Sequence, residues 1–369
     1  VIPHRSEGDT ARMAETAVTT QVVVLGVDTH QQTHHAAIVA TDGRPLADRE
    51  FPTTTAGYTQ LWQWACGFGR VEDAAVESSA SYGAGLTRML TAEGVRVIEV
   101  NTPDLPRRYA HGKTDQLDAY AAAMAVITGR ATAVAKDTRG AVESIRMLTV
   151  ARASAVEEAT RIGNQIRDLC TTAPAEYADQ ARQARTIAKR AAFIKDLPVP
   201  AEKADLSGPA AAFVRAARSL LDRHRLAQQQ ARSLARELTR LLSKLVPTLL
   251  SRPQIGPITA ARLVITAGDN VERMGTEARF AKLVGAAPLP ASSGKTSRHR
   301  LNRGGDRQAN SALHMIAVGR MKSHAPTRAY VERRSAEHKT KKDILRCLKR
   351  YIAREVFRDL TTDLGALDK

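Results

Sequence analysis

The chain has 369 residues, more than one small core accommodates, so two or three domains are expected. Its 55 lysines and arginines outnumber 38 acids, and a net charge of +17 with a pI near 10.2 points to a polyanionic partner, nucleic acid first. Aromatics at 4% argue against a base-stacking platform. No run is apolar enough for a membrane span or a signal peptide, and Cys66, Cys170 and Cys347 show neither metal-ligand spacing nor an even disulfide framework, which fits a reducing cytoplasm.

Residues 1–20 are polar and patternless and read as a disordered leader, with Met13 a candidate start. QVVVLGV at 21–27 is a buried strand. HHAAIVATDGRPLADREF reads as two strands joined by a turn at Asp42-Gly43. A helix follows over 57–68, then a buried strand at 73–77, a helix over 84–93, a strand over 95–101 and an alanine-rich helix over 116–129. Strands alternating with helices predict a mixed α/β domain over 21–135, with the site at strand ends. A helical region over 136–250 carries apolar residues at 3,4 spacing. They run from Ile145 through Ala155, Ile162 and Ile166 to Leu169, and again from Ala217 to Leu245 over four heptads. The polar, proline-bearing stretch 171–209 separates these arms. An antiparallel hairpin and a dimerising coiled coil satisfy the pattern equally, and two ordinary amphipathic helices remain the plain alternative for the shorter arm. A third domain over 251–322 is expected to be mostly helical. It opens on PQIGPITAARL, where Gly256 starts a helix-hairpin-helix-like turn that can offer amides to a DNA phosphate. Residues 323–369 form a basic helical tail; between Lys295 and Arg354 there are 17 lysines and arginines against 4 acids.

Four carboxylates carry the chemistry. Asp28 ends the first strand, Glu77 ends the strand at 73–77, and Asp115 and Asp118 share one face at the start of the alanine-rich helix. Acids grouped so closely call for a cation, and Mg²⁺, as two ions, is the natural tenant for phosphoryl transfer. Helix capping is the common role for one Asp in the position of Asp115, but it leaves Asp118 and the strand-end pair unexplained. An actin-like ATPase also ends its first strand in Asp, but Thr-His-Gln follows Asp28 where such folds need glycines. His30, His34 and His35 lack ligand spacing and read as surface or core histidines.

Ser292-Ser293-Gly294 sits between proline and a basic run of Lys295, Arg298, Arg300, Arg303 and Arg307. A serine there is usually a plain loop residue. The arginines give it a second reading, in which they hold a phosphate beside a nucleophilic hydroxyl. Gly304 and Gly305 read as turn formers.

GVDTH, VESSASYG, KTDQLDAYAAA, PQIGPITAARL and GAAPLPASSGKTSRHRLNRGGDRQANSAL, in that order, resemble the DEDD recombinases of bacterial insertion sequences over about residues 22–320. That family includes pilin-gene invertases and RNA-guided bridge recombinases. The resemblance implies a RuvC-like N-terminal domain of RNase H ancestry that binds Mg²⁺ through Asp28, Glu77, Asp115 and Asp118. It implies a C-terminal domain whose nucleophile is Ser293, with Ser292 the fallback, acting through a phosphoserine intermediate. It further implies donor and target DNA as substrates, a structured noncoding guide RNA and a homo-oligomer with a composite active site. Location would be cytoplasmic, at the nucleoid. Family members commonly carry Gly-Asn where this chain has Gly305-Asp306. The competing readings are a metal-dependent nuclease or Holliday-junction resolvase using water, and a non-catalytic nucleic-acid-binding protein.

Overall fold

A computed structural model describes residues 21–100, 114–199, 208–294, 299–302 and 304–365. They part into two compact units, divided between Thr138 and Arg139.

The first unit is a five-stranded mixed sheet with helices. In order, it comprises β1 (Val22–Thr29), β2 (Thr33–Ala40), β3 (Pro45–Pro52), α1 (Thr55–Cys66), β4 (Arg70–Glu77), α2 (Ala84–Ala92), β5 (Arg96–Val100) and α3 (Asp115–Ile127). The strand order is β3-β2-β1-β4-β5. β1 pairs antiparallel with β2 and parallel with β4, so the most apolar strand takes the centre. β3, bounded by Pro45 and Pro52 and rich in charge, takes the edge, where a missing N–H is tolerated. The β2–β3 turn falls at Asp42-Gly43 as the sequence predicts. Gly43 adopts φ +90°, and the Asp42 carboxylate accepts from the Arg44 amide (2.9 Å). One sheet face packs Val23, Leu25, Val27, Ala74 and Val76 against Leu61, Leu86 and Leu90. The other face meets α3, where Val24 and Val39 pack on Ala123.

The second unit is mostly helical. Its elements are α4 (Ala141–Thr171), α5 (Ala175–Gln183), α6 (Ile187–Asp196), α7 (Pro209–Leu245), α8 (Pro247–Leu250), α9 (Pro257–Ala267), a 3₁₀ turn (Val271–Met274) and α10 (Glu277–Leu283). The short strands β6 (Leu289–Pro290) and β7 (His299–Arg300) follow, then α11 (Arg307–Ser323), α12 (Ala325–Ala336) and α13 (Lys341–Gly365).

The two heptad arms are α4 and α7, and they pack on each other antiparallel within the chain. Val142 and Ile145 at the start of α4 share a core with Leu238, Leu242 and Leu245 at the end of α7, while Ile162 and Ile166 share one with Ala217 and Leu221. The hairpin reading therefore describes the pair. The buried stripe of α7 departs from the sequence register: Leu221 and Leu242 are buried while Leu220 and Leu241 are only half-buried. The same one-residue step appears at both ends, three heptads apart, so the stripe keeps its seven-residue repeat and takes the later of two adjacent leucines in each case. The stretch 171–209 is not merely a spacer. It holds α5 and α6, whose Ala181 and Ile194 close the far end of the hairpin. The near end of α4 is fixed by Asp269, whose carboxylate accepts from the Val142 amide (3.0 Å). A Cβ on Gly140 would lie 2.3 Å from that same Asp269 Oδ1, so glycine is required at the N-cap.

Gly256 and Pro257 open α9, as the sequence predicts, with proline at the first helical position. The basic tail forms α12 and α13. Inside it, Arg320 is buried and makes a two-pronged ion pair with Glu355 (2.6 and 3.1 Å), and Arg252 does the same with Asp359 (2.7 Å each). Part of the basic charge is thus structural.

Candidate functional site

Parallel register sets the two strand-end acids beside each other. Val27 pairs with Val76, so Asp28 and Glu77 are the next positions on adjacent strands. Val27 and Val76 point into the core on the α1/α2 side; alternation sends Asp28 and Glu77 to the opposite face, where α3 lies. Gly26 lets α3 come that close: a Cβ there would sit 2.1 Å from the Ala119 carbonyl and 2.9 Å from the Ala123 Cβ. α3 starts at Asp115 with Asp118 one turn on, after Thr114, whose hydroxyl accepts from the Leu117 amide (3.2 Å). The cap is therefore Thr114 and not Asp115, and both acids are left facing the helix N-terminus, a place that favours negative charge.

Two further contacts brace the site. The Thr29 hydroxyl donates to the Glu77 carbonyl (2.9 Å) and ties the ends of β1 and β4 together. Asp48 on β3 gathers His35 (2.8 Å), Gln116 (2.6 Å) and Tyr120 (3.0 Å), which pins the first turns of α3 to the sheet edge. Burial and then Asp48 push the Tyr120 hydroxyl up to about 12. Ser78, directly after Glu77, adopts the left-handed φ of +51°, rare for a residue with a Cβ.

His30 extends the sequence reading. It is a surface histidine with acidic partners the sequence does not announce: Nε2 lies 3.2 Å from Asp28 Oδ2 and 3.3 Å from Asp115 Oδ1. Asp28, His30 and Asp115 form a group that could hold a metal ion, with one ligand atom from each within 4.8 Å of the others. Burial opposes protonation of His30, but the two carboxylates outweigh it and raise the ring above its ordinary 6.5. Asp28 is 5% exposed, and its Oδ2 accepts no hydrogen bond. A buried carboxylate oxygen without a donor is the feature a divalent cation satisfies. His34 is a core histidine as expected, stacked on Tyr58 and pushed down by burial, and His35 belongs to Asp48. Neither His30 nor Asp48 stands out in the sequence: Asp48 pairs in register with Ala37 on β2, and His30 lies in the turn between β1 and β2.

In the second unit the serines lie in a hairpin loop. Leu289 pairs with Arg300 and Pro290 with His299, and Ser292 and Ser293 follow the first of these two short strands. Ser293 is exposed, and Gly294 after it adopts φ +53°. Lys295, Arg298 and Arg303 lie outside the described residues. Arg300 and Arg307 are described and exposed, the second at the start of α11, and Gly256 is exposed at the start of α9. A cavity of about 760 Å³ runs from the hairpin base to α13 and is lined by His299, Arg300, Arg346, Lys349, Arg350 and Arg354. Lys349 also lines a second cavity of about 390 Å³ with Arg307 and His314. Its ammonium donates to Asn310 Oδ1, and burial pushes its pKa down. The Gly305-Asp306 step has a local cause: Asp306 caps α11, accepting from the amides of Gln308 (2.8 Å) and Ala309 (3.1 Å) and from the Thr266 hydroxyl (2.9 Å). No described helix is long and apolar enough to cross a membrane.

Comparison with known proteins matches both halves of the chain. Residues 25–173 match the DEDD-type IS110 family model described as "Transposase", and residues 246–332 match "Transposase IS116/IS110/IS902 family". A curated protein of Streptomyces coelicolor, "Insertion element IS110 uncharacterized 43.6 kDa protein", is 38% identical over 116 residues, 30% of this chain. The match spans 28% of that relative's length. The first match takes in Asp28, Glu77, Asp115 and Asp118, the second takes in the serine hairpin, and the chain belongs to the IS110 family of DEDD transposases.

Proposed function

We propose that this chain is the recombinase of a bacterial insertion element, cutting and exchanging DNA strands by phosphoryl transfer with Ser293 as nucleophile. The observation that supports the reading is the pair of acids at the adjacent ends of β1 and β4, Asp28 and Glu77, with Asp115 at the start of α3 in one possible metal-holding group with Asp28 and His30. The strand order β3-β2-β1-β4-β5, with acids at the ends of its two central parallel strands, supports an RNase H/RuvC-like identity for this unit.

The four acids, with Mg²⁺ as the expected ion and two ions as the expected number, would hold the metal. When bound, it neutralises charge on the transferring phosphoryl group. The protein's own groups do the rest. Asp28 is held rigid by burial, and Asp115 and Asp118 by the Asp48 clamp on α3. The Ser293 hydroxyl, exposed in its hairpin, attacks phosphorus: an O–P bond to serine forms, the bond to one deoxyribose oxygen breaks, and that oxygen leaves with the proton serine gives up. Arg300, Arg307 and the cationic cavity beside α13 would hold the phosphates on either side. As the family resemblance implies, we read the active site as shared between subunits, with the α4–α7 arm as the spacer that brings them together. A structured noncoding RNA would choose donor and target DNA, leaving the protein's basic surface to read backbone shape.

The test is a denaturing gel of the full chain with Mg²⁺, element-end RNA and labelled donor DNA. A covalent protein–DNA band is expected for wild type and for Ser292→Ala. It should vanish in Ser293→Ala and Asp28→Asn. Cleaved DNA with no protein attached would instead make water the nucleophile, as in a resolvase.

A further inference from the structure

Nothing in the four-acid pattern involves His30, yet its ring nitrogen lies beside two of the four acids, Asp28 and Asp115. Nε2 is buried and makes no hydrogen bond, although the side chain as a whole is 44% exposed. The ring is thus open to solvent on one edge and aims its buried nitrogen between Asp28 Oδ2 and Asp115 Oδ1, at 3.2 and 3.3 Å. The loop that carries it is fixed: the His30 amide donates to the Thr33 carbonyl (3.0 Å), and Thr53 donates to the carbonyls of Gln31 (2.8 Å) and Gln32 (3.0 Å). Neighbouring ligands of an octahedral ion, with bonds of roughly 2.1–2.2 Å at right angles, lie about 3 Å apart. The ring nitrogen already has about that separation from each carboxylate oxygen, all three ligand atoms lie within 4.8 Å of one another, and Asp28, at 5% exposed with an oxygen that accepts no hydrogen bond, supplies the buried anion for them to close around.

We propose that His30 is itself a metal ligand, so that the ion at Asp28 and Asp115 has a mixed oxygen–nitrogen donor set selective for imidazole-accepting divalent ions such as Mn²⁺ over Mg²⁺. This rests on the metal-dependent reading above. Mg²⁺ takes oxygen and water almost exclusively, whereas imidazole suits later divalent ions. An ordinary all-carboxylate site carries no such bias beyond the general affinity order. The imidazole adds a term specific to this chain, and that term disappears with the ring. An ion pair that merely parks His30 on two acids would instead release the ring when a cation arrives.

The deciding measurement is pulsed electron paramagnetic resonance of Mn²⁺ bound to the full chain, with calorimetric titration of Mn²⁺ and Mg²⁺ alongside. Wild type should show ¹⁴N coupling from a directly bound imidazole. His30→Ala should lose that coupling and weaken Mn²⁺ about tenfold or more, taking the lower end of what loss of supporting ligand groups costs, while Mg²⁺ weakens far less. His30→Gln, which offers oxygen, should restore binding without the nitrogen signal and without the Mn²⁺ preference. Mn²⁺ bound to wild type with no nitrogen coupling, and lost in Asp28→Asn, overturns this proposal and leaves the metal-dependent reading standing. No metal bound to wild type, with Asp28→Asn indistinguishable from it, overturns both.

Discussion

Asp28 owes its position to a neighbour with no side chain. Gly26 lets the backbone of α3 rest directly on β1, and a methyl group at that position would meet the Ala119 carbonyl at 2.1 Å. Gly26→Ala should therefore push α3 off the sheet, move Asp115 and Asp118 with it, and cost about 1–3 kcal/mol of stability in addition to most of the activity. Chemical denaturation alongside the cleavage gel would check both effects; unchanged cleavage would mean that α3 need not sit so close. Asp28→Asn should preserve the fold while lowering cleavage by at least about 100-fold, given that even outer partners of metal ligands cost 10–100-fold. At this scale the acids were readable from sequence because each ends an apolar run or opens a helix. His30 was not readable. Its relation to Asp28 and Asp115 depends on a turn and a helix start 85 residues apart in the chain, and its polar sequence neighbours hide it.

Asp48 and Asp306 each secure an element. The Asp48 carboxyl lies below its ordinary 3.8: burial pushes it up, but hydrogen bonds from Gln116, His35 and Tyr120 outweigh that. A lowered folded value means the stabilisation is fully present above about pH 3.8 and is lost as pH falls through the folded value. The first turns of α3 should then loosen in acid before the central strands do. Amide hydrogen exchange at 115–120 below pH 4 should rise in wild type and be high at every pH in Asp48→Asn. Asp306→Ala should cost about 1 kcal/mol as a lost N-cap, with the Thr266 hydroxyl falling back on the Arg262 carbonyl (2.9 Å), and thermal melting would read it. The strands and the alanine-rich helix were legible because β-branched runs and regular spacing encode them locally. α5 and α6 were not: their sequence is polar and broken by proline, and they become helices by covering the far end of the α4–α7 pair.

For the whole molecule, a charge of +17 overstates the surface available to phosphate, because Arg320 and Arg252 are consumed by Glu355 and Asp359. Removing one partner makes the point: Glu355→Ala should cost about 3 kcal/mol or more, since it strands the buried Arg320 charge. Exposed arginines should behave differently. Arg300→Ala and Arg307→Ala should leave melting unchanged, weaken DNA binding evenly across sequences and each lower the slope of log affinity against log salt by about one. Equal slopes in wild type and both variants would remove these residues from the interface. The heptads announced two long helices but not their partner, because the period of an apolar stripe is the same whether it meets its own chain or another. The structure pairs them with each other, and one geometric result follows. Because α4 departs and α7 returns at the same place, around Val142 and Leu245, the arm is a detour whose length the rest of the unit never senses. Removing seven residues from each arm, opposite one another, would retract the tip by roughly 10 Å and keep both end clusters intact. The reach of this arm is therefore adjustable without disturbing the core at its base, and in a site shared between subunits it would set the span across which the two halves meet.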